Sequence, residues 1–232
     1  MRLSYKAEES FEMEMTTKER ILEAACRAFA DHGFRETTIA AICHAAEANI
    51  ASVNYYFGSK KNLYESVWEY AYIQARNIYG FGEPGANPEE WLRQYIRNLL
   101  LMIFDEGPGG LITRLIRRDI DADLESELLK KIRVRFLKPR RQQLENAVGS
   151  ILNREPASFA VRSLTSHIQA GCIFFNSKLR FREHIFGSSA PDHREVEFLI
   201  RSTQAFVEGG IEQVRSSLES GRLTEATLEG KQ

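Results

Sequence analysis

The chain has 232 residues, 43% of them hydrophobic and 27% charged, and a formal net charge of −1. That balance supports a buried core and excludes a disordered chain. It also excludes binding to nucleic acid by bulk charge, so any hold on phosphate must come from a local arrangement.

The first fifteen residues are polar and acidic, with Glu8, Glu9, Glu12 and Glu14 and no apolar run, so 1–15 reads as a frayed arm and not as a secretory signal. Thr16 followed by Glu19 forms a capping box. Ile21, Leu22, Ala25, Ala28 and Phe29 then make one apolar stripe, and Gly33 is expected to end the helix. Thr38 caps a short helix with Ile39, Ile42 and Cys43, and Asn49 caps a third that turns Val53 and Phe57 inward. Gly58-Ser59 breaks that helix, and Ser59 caps a longer one from Lys60 to about Tyr79. Three short helices followed by a long one form a trihelical DNA-binding pattern.

Gly80 to Ala86 reads as a loop, and Asn87-Pro88-Glu89-Glu90 restarts a helix with a cap, a proline and acids in the first turn. Glu106 to Gly110 breaks it and leads to a helix from Leu111 to about Ile120. A long helix is expected from about Asp123 to Gly149, kinked by Pro139. Pro156 is expected to open a helix carrying Ile168, Cys172 and Phe175, and the last long helix runs from about Asp192 to Ser220. Residues 221–232 read as a loose tail. Strand signals are nearly absent, so the fold class is all-α. The expected division is a helix-turn-helix DNA-binding domain over 16–63, its helix-turn-helix at about 38–57, and a larger ligand-binding and dimerisation domain over 64–220.

The recognition candidate is the run from Asn49 to Phe57. With Val53 and Phe57 inward, Ile50, Ala51, Ser52, Asn54, Tyr55 and Tyr56 face solvent. Tyrosine hydroxyls reach phosphate oxygens, and Ile50 or Ala51 can touch a thymine methyl. Thr38 and Lys60, at the starts of neighbouring helices, would clamp phosphates from either side. The same residue types also suit a plain helical core with a solvated lysine pair, so this reading of the residues leaves both alternatives open.

An enzyme and a helical interaction bundle are the competing classes. None of the five histidines has a partner at metal-ligand spacing, and there is no glycine-rich phosphate loop and no nucleophile elbow, so no catalytic residue, metal or cofactor is expected. Cys26, Cys43 and Cys172 are scattered and lack Cys-x-x-Cys spacing, which reads as reduced core thiols in a cytoplasmic protein. No apolar run is long enough to span a membrane.

The ordered set Ile21-Leu22-Glu23-Ala24-Ala25, Phe29 to Phe34, Thr37-Thr38-Ile39 with Ile42, and Asn54 to Leu63 resembles the TetR family of bacterial regulators. The resemblance implies that Thr38, Asn49, Ile50, Ala51, Ser52, Asn54, Tyr55, Tyr56 and Lys60 face double-stranded operator DNA. In it Tyr56 and Lys60 stand as phosphate contacts, and Ile50, Ala51, Ser52 and Tyr55 as base readers. Asn49-Ile50-Ala51 with Tyr55 to Lys60, together with Gln169 to Phe175, resembles the CecR-like branch of that family. One position departs from the pattern. Glu47 stands in the turn where the family usually has glycine, at a cost of about 1–2 kcal/mol for a left-handed backbone.

The resemblance further implies a pocket for a partly apolar small-molecule effector in the second domain. Phe104, Leu115, Phe136, Ile168, Cys172 and Phe175 are candidates for its apolar lining, with Arg118, Arg135 and Asn176 as orienting groups. Taken singly, each apolar candidate reads first as plain bundle core. The stripe on the last helix, from Val196 through Phe206 to Val214, is too wide for one neighbour, and Gly209-Gly210 favours close helix approach. A homodimer through the last two long helices is therefore expected. It would set two recognition helices about one DNA turn apart over a near-palindromic operator, and the effector would release it.

Overall fold

The computed structural model describes residues 15–80, 82–83, 85, 87–120, 127–175, 183–184, 187 and 191–224, the side chains of Asp119 and Ile120 excepted. Residues 1–14 and 225–232, which hold most of the expected arm and tail, lie outside the described residues, as does Asn176. Among the described residues every regular element is helical.

Helix α1 (Thr17–Glu36) opens on the expected capping box: the Glu19 amide donates to Thr16 Oγ1 at 3.3 Å and the Thr16 amide to Glu19 Oε2 at 2.8 Å. The Thr16 amide and the Thr16 hydroxyl, both donating to Glu19 Oε2 at 2.8 Å, hold the Glu19 carboxyl below its ordinary value. Gly33, at φ 74°, breaks the helical backbone where a stop was expected, but hydrogen bonding resumes for one more turn to Glu36. The buried Thr37 hydroxyl closes that turn by donating to the carbonyls of Ala28 and Gly33.

Helices α2 (Ile39–Ala45), α3 (Ile50–Phe57) and α4 (Lys60–Tyr79) each start on the side chain that the sequence offers. Thr38 accepts from the Ala41 amide, Asn49 from that of Ala51, and Ser59 from that of Asn62. Helix α5 (Pro88–Phe104) is capped by Asn87 and buries eight side chains, among them Leu92, Tyr95, Ile96 and Leu100.

A tight corner follows. The Tyr79 hydroxyl donates to Asp105 Oδ2 at 2.8 Å, the Gly107 amide to Asp105 Oδ1 at 2.6 Å, and Arg114 Nη1 to the Asp105 carbonyl at 2.9 Å. Asp105 thereby joins the end of α4 to a single 3₁₀ turn (Pro108–Gly110) and to α6 (Leu111–Ile120). Gly110 packs so closely that a Cβ there would collide with the Asp105 carbonyl and lie 2.8 Å from that of Met102.

The long kinked helix expected next is three pieces. Helix α7 (Glu127–Ile132) passes into a π-helical stretch (Arg133–Leu137) and then into α8 (Lys138–Leu152). Pro139 falls in the first turn of α8, where its missing amide costs nothing, and the wider π turn before it absorbs the break. Helix α8 ends on Asn153 in the left-handed region, with the Arg154 amide donating to the Gly149 carbonyl at 2.9 Å. Helix α9 (Phe159–Phe174) starts three residues after Pro156, where it was expected to open, because Ser158 supplies the cap. Helix α10 (His193–Glu219) carries a capping box between Asp192 and Glu195 and ends at Ser220, close to its expected bounds.

One hydrophobic cluster runs from Ile21 through Trp68, Leu100 and Phe136 to Ile211. Helix α10 is pinned along α5 by Arg93 on Glu208 at 2.6 Å and by Arg97 on Glu197 at 2.9 Å. We expect Gly110→Ala to cost about 1–3 kcal/mol through overpacking, read as a lower urea midpoint with an unchanged slope.

Candidate nucleic-acid interface and effector cavity

Helix α3 is short and divides cleanly. Val53 and Phe57 are buried, while Ile50 (52% exposed), Ala51, Asn54, Tyr55 (83%) and Tyr56 (41%) stand open and Ser52 is partly covered. Burying Val53 and Phe57, four residues apart, against α1 and α4 turns the opposite face outward by geometry alone. The two tyrosine rings meet edge to face at 5.0 Å, which stiffens an otherwise exposed pair. Thr38 and Asn49 are exposed, and each spends its side chain as a cap.

Lys60 sits differently from an extended surface lysine. It is half-buried, with its ammonium 4.7 Å from the Phe34 ring centre and donating to the Arg35 carbonyl at 3.4 Å. Burial lowers its pKa. Any phosphate contact by Lys60 would have to be exchanged for these two.

The α2–α3 turn is fixed from three sides. The Ala48 amide donates to the Cys43 carbonyl at 2.9 Å, Arg20 Nε of α1 donates to the Ala46 carbonyl at 3.2 Å, and Glu47 takes φ 49°. The left-handed backbone read from the sequence is therefore occupied by a glutamate, which is exposed.

A second feature lies among α4, α5, α6, the π stretch, α8 and α9. It is a cavity of about 460 Å³ whose apolar wall includes Ala75, Leu99, Met102, Ile112, Ile116 and Phe136. Of the effector residues expected from sequence, Phe136 lines it. Leu115, Ile168 and Cys172 are buried elsewhere in the core, and Phe175 is the half-buried cap residue of α9. Phe104 lines a larger, separate cleft between α1 and the segment after α5. Arg118 is exposed and donates to the Ala30 carbonyl at 3.2 Å, and Arg135 is exposed and pairs with Glu69 at 2.7 Å.

Tyr72, Tyr95 and Arg140, which do line the cavity, were not singled out by sequence. Arg140 had a legible signal: it follows Phe136 by four residues and precedes Leu144 by four, so a cation interrupts the apolar stripe. Burial raises the Cys26 and Cys172 thiols to about 12, which keeps both as inert core groups near neutral pH.

Among the described residues no three metal-ligating side chains converge and no helix is long and apolar enough to cross a membrane. The trihelical unit with an outward tyrosine face, joined to a helical body holding a cavity, defines the helix-turn-helix class of regulators. Residues 21–67 match the model of the bacterial regulatory proteins of the tetR family. Residues 88–211, more than half of the chain, match that of the C-terminal domain of the HTH-type transcriptional dual regulator CecR. The chain belongs to the TetR family of bacterial regulatory proteins, with a C-terminal domain of the CecR type.

The chain is 35% identical over 81 residues to the HTH-type transcriptional repressor NicS of Pseudomonas putida, covering 34% of this chain and 38% of that one. It is 27% identical over 125 residues to the probable HTH-type transcriptional regulator YttP of Bacillus subtilis, covering 54% and 59%. The chain thus spans about three-fifths or less of the length of these curated relatives. A solved structure of a mutant HlyIIR protein aligns at TM-score 0.55 with 26% identity, covering 79% of this chain and 94% of that one. A transcriptional regulator from Rhodococcus aligns at TM-score 0.63 with 16% identity, covering 84% and 97%, and shares the fold.

Replacing Glu47 by glycine removes a left-handed penalty of about 1–2 kcal/mol and adds about 0.5–1 kcal/mol of unfolded-chain entropy. We expect Glu47→Gly to gain about 0.5–1 kcal/mol in urea unfolding.

Proposed function

We propose that this chain binds operator DNA as a homodimer through α3 and is released when a small molecule occupies the cavity. The observation that carries the reading is the exposed face of α3, where Tyr55 and Tyr56 stand open while Val53 and Phe57 are locked in the core. In this reading Ile50, Ala51, Ser52 and Tyr55 read base edges in the major groove, and Tyr56, Thr38, Asn49, Asn54 and Lys60 serve the backbone. The domain division at about residue 63 belongs to the same proposal, with α4 passing from one unit into the other.

Dimerisation is supported by the outer side of α10. Phe198 is 71% exposed and Phe206 84% exposed, and a Cβ on Gly209 or Gly210 would meet open space. A helix that shows two phenylalanines and a glycine pair to solvent has the profile of one that packs against a second copy. On α9 the outward aromatics are Phe159 and Phe174, so the last two long helices together form the proposed interface. Two-fold pairing calls for a near-palindromic operator.

The coupling route is physical. Helix α6 gives Ile112, Thr113 and Ile116 to the cavity, while its Arg118 donates to the Ala30 carbonyl of α1. Helix α4 gives Tyr72 and Ala75 to the cavity, and its first turn holds Lys60 against Phe34 and Arg35. An occupant that moves either helix re-aims α3, and release follows if it prefers the re-aimed state. Repression is the mode of action proposed, since one relative, NicS, is itself named a repressor.

Two measurements test the reading. Tyr56→Ala should weaken mobility-shift binding about tenfold on every operator variant, as loss of a phosphate contact does. Undiminished binding would remove Tyr56 from the interface. Phe206→Asp should give a monomer by analytical ultracentrifugation and lose the palindromic site, whereas a dimer of unchanged stability would move the interface off α10.

A further inference from the structure

The charged side chains that line the cavity are all of one sign, and the protein itself uses them. They are Arg133, Lys138, Arg140 and Arg141, and among the described residues of the lining there is no aspartate or glutamate. Arg141 gives Nε to Glu145, Nη1 to Gln169 and Nη2 to Ser166. Arg133 Nε donates to the Leu129 carbonyl at 3.3 Å. Arg140 is half-buried and turned to Tyr95: the Tyr95 hydroxyl is its hydrogen-bond partner, and the ring centre lies 5.2 Å from the guanidinium carbon. Its Nη2 has no accessible surface to show the chamber. Lys138 is exposed, and an exposed ammonium keeps its water.

The other polar groups of the lining are neutral. The Thr113 hydroxyl is turned to the backbone, bonded to the carbonyls of Gly110 at 2.8 Å and Met102 at 3.2 Å. The Tyr72 hydroxyl and the Gln169 side-chain nitrogen, on half-buried residues, make no hydrogen bond among the described residues. An ionised group drawn into this chamber would give up its hydration and gain little in return. A carboxylate would meet guanidinium groups already turned to protein acceptors, and a cation would meet four like charges with no carboxylate among them. The wall of Leu99, Met102, Ile103, Ile112 and Ile116 rewards apolar surface alone.

We infer that the effector is an uncharged, largely apolar molecule, its body one or two rings or a comparable chain, and any polar group it carries a neutral one such as a carbonyl or hydroxyl. This rests on reading the cavity as the effector site. A volume of about 460 Å³ takes a body of that size, and the neutral donors of Tyr72 and Gln169 suit a neutral oxygen. The body would lie against Phe136 and Tyr72, whose ring centres are 5.5 Å apart, so its contact falls directly on α4.

The test uses three fluorescent probes on one ring body, titrated into the full chain near neutral pH. They are the neutral 7-diethylaminocoumarin, its 3-carboxylate, and the cationic N-(2-aminoethyl)-3-carboxamide. The neutral probe should saturate at one per chain and bind at least about tenfold tighter than either ion. Ile116→Trp, which fills the chamber from α6, should lose the neutral probe while keeping the helical circular dichroism of the wild type. If the neutral probe does not saturate, or binds a folded Ile116→Trp as it binds wild type, the cavity reading fails and the inference with it. If it saturates and the substitution blocks it, but either ion binds within tenfold or more tightly, the cavity stands and the uncharged class is wrong. The wild-type ratios decide the class even if the variant fails to fold.

Discussion

Three rings spaced one turn apart on α4 hold this molecule together. Tyr64 meets Phe29 of α1 edge to face at 4.8 Å, Trp68 stacks on Phe136 at 6.4 Å, and Tyr72 tilts against the same Phe136 at 5.5 Å. Tyr64 and Trp68 are themselves in edge contact. Every ring after the first lies four residues further along one helix face, so the contacts form a continuous aromatic seam from the helix-turn-helix to the cavity wall. Each aromatic pair contributes about 0.5–1.5 kcal/mol beyond its buried area, and rings are stiff, so a shift at one end is poorly absorbed on the way. The helix-turn-helix and the cavity are therefore two ends of a single packed element.

The corner at Asp105 gives the seam something to push against. Its carboxylate takes the Tyr79 hydroxyl and the Gly107 amide, and its carbonyl takes Arg114, which fixes the end of α4 against the start of α6. Helices α4 and α6 each touch both the cavity and α1, and they share this anchor. Motion in either must then pivot about the corner.

What the sequence revealed and what it hid divide along the range of the interactions involved. The starts at Thr16, Thr38, Asn49, Ser59, Asn87 and Asp192 were legible because a cap is satisfied by a neighbour two or three residues away. The outward face of α3 was legible for the same reason, from the spacing of Val53 and Phe57 alone. The start of α9 was misplaced because Pro156 and Ser158 both carry an initiation signal, and the hydrogen bond chose the hydroxyl. The cavity was not legible. Leu115 and Cys172 are as apolar as Ile112 and Ile173, and only the convergence of separate helices decides which of them meets the void. The π stretch was likewise hidden, since Pro139 announces a disturbance but not its form.

That stretch has a bearing on how the cavity's lining can change. A π turn inserts about one residue beyond the α-helical count, and each α-helical residue turns the chain by about 100°. Arg133, Val134, Phe136 and Leu137 of the π stretch, and Lys138, Arg140 and Arg141 just after it, all line the same chamber. Loss of one codon there would regularise the spiral and rotate one set of side chains relative to the other by roughly a quarter turn. A single deletion could then carry Phe136 off its stack with Trp68, or swing the half-buried Arg140 out of the wall, while leaving the helix-turn-helix intact. The segment offers a short evolutionary path to a cavity of new chemistry above an unchanged helix-turn-helix.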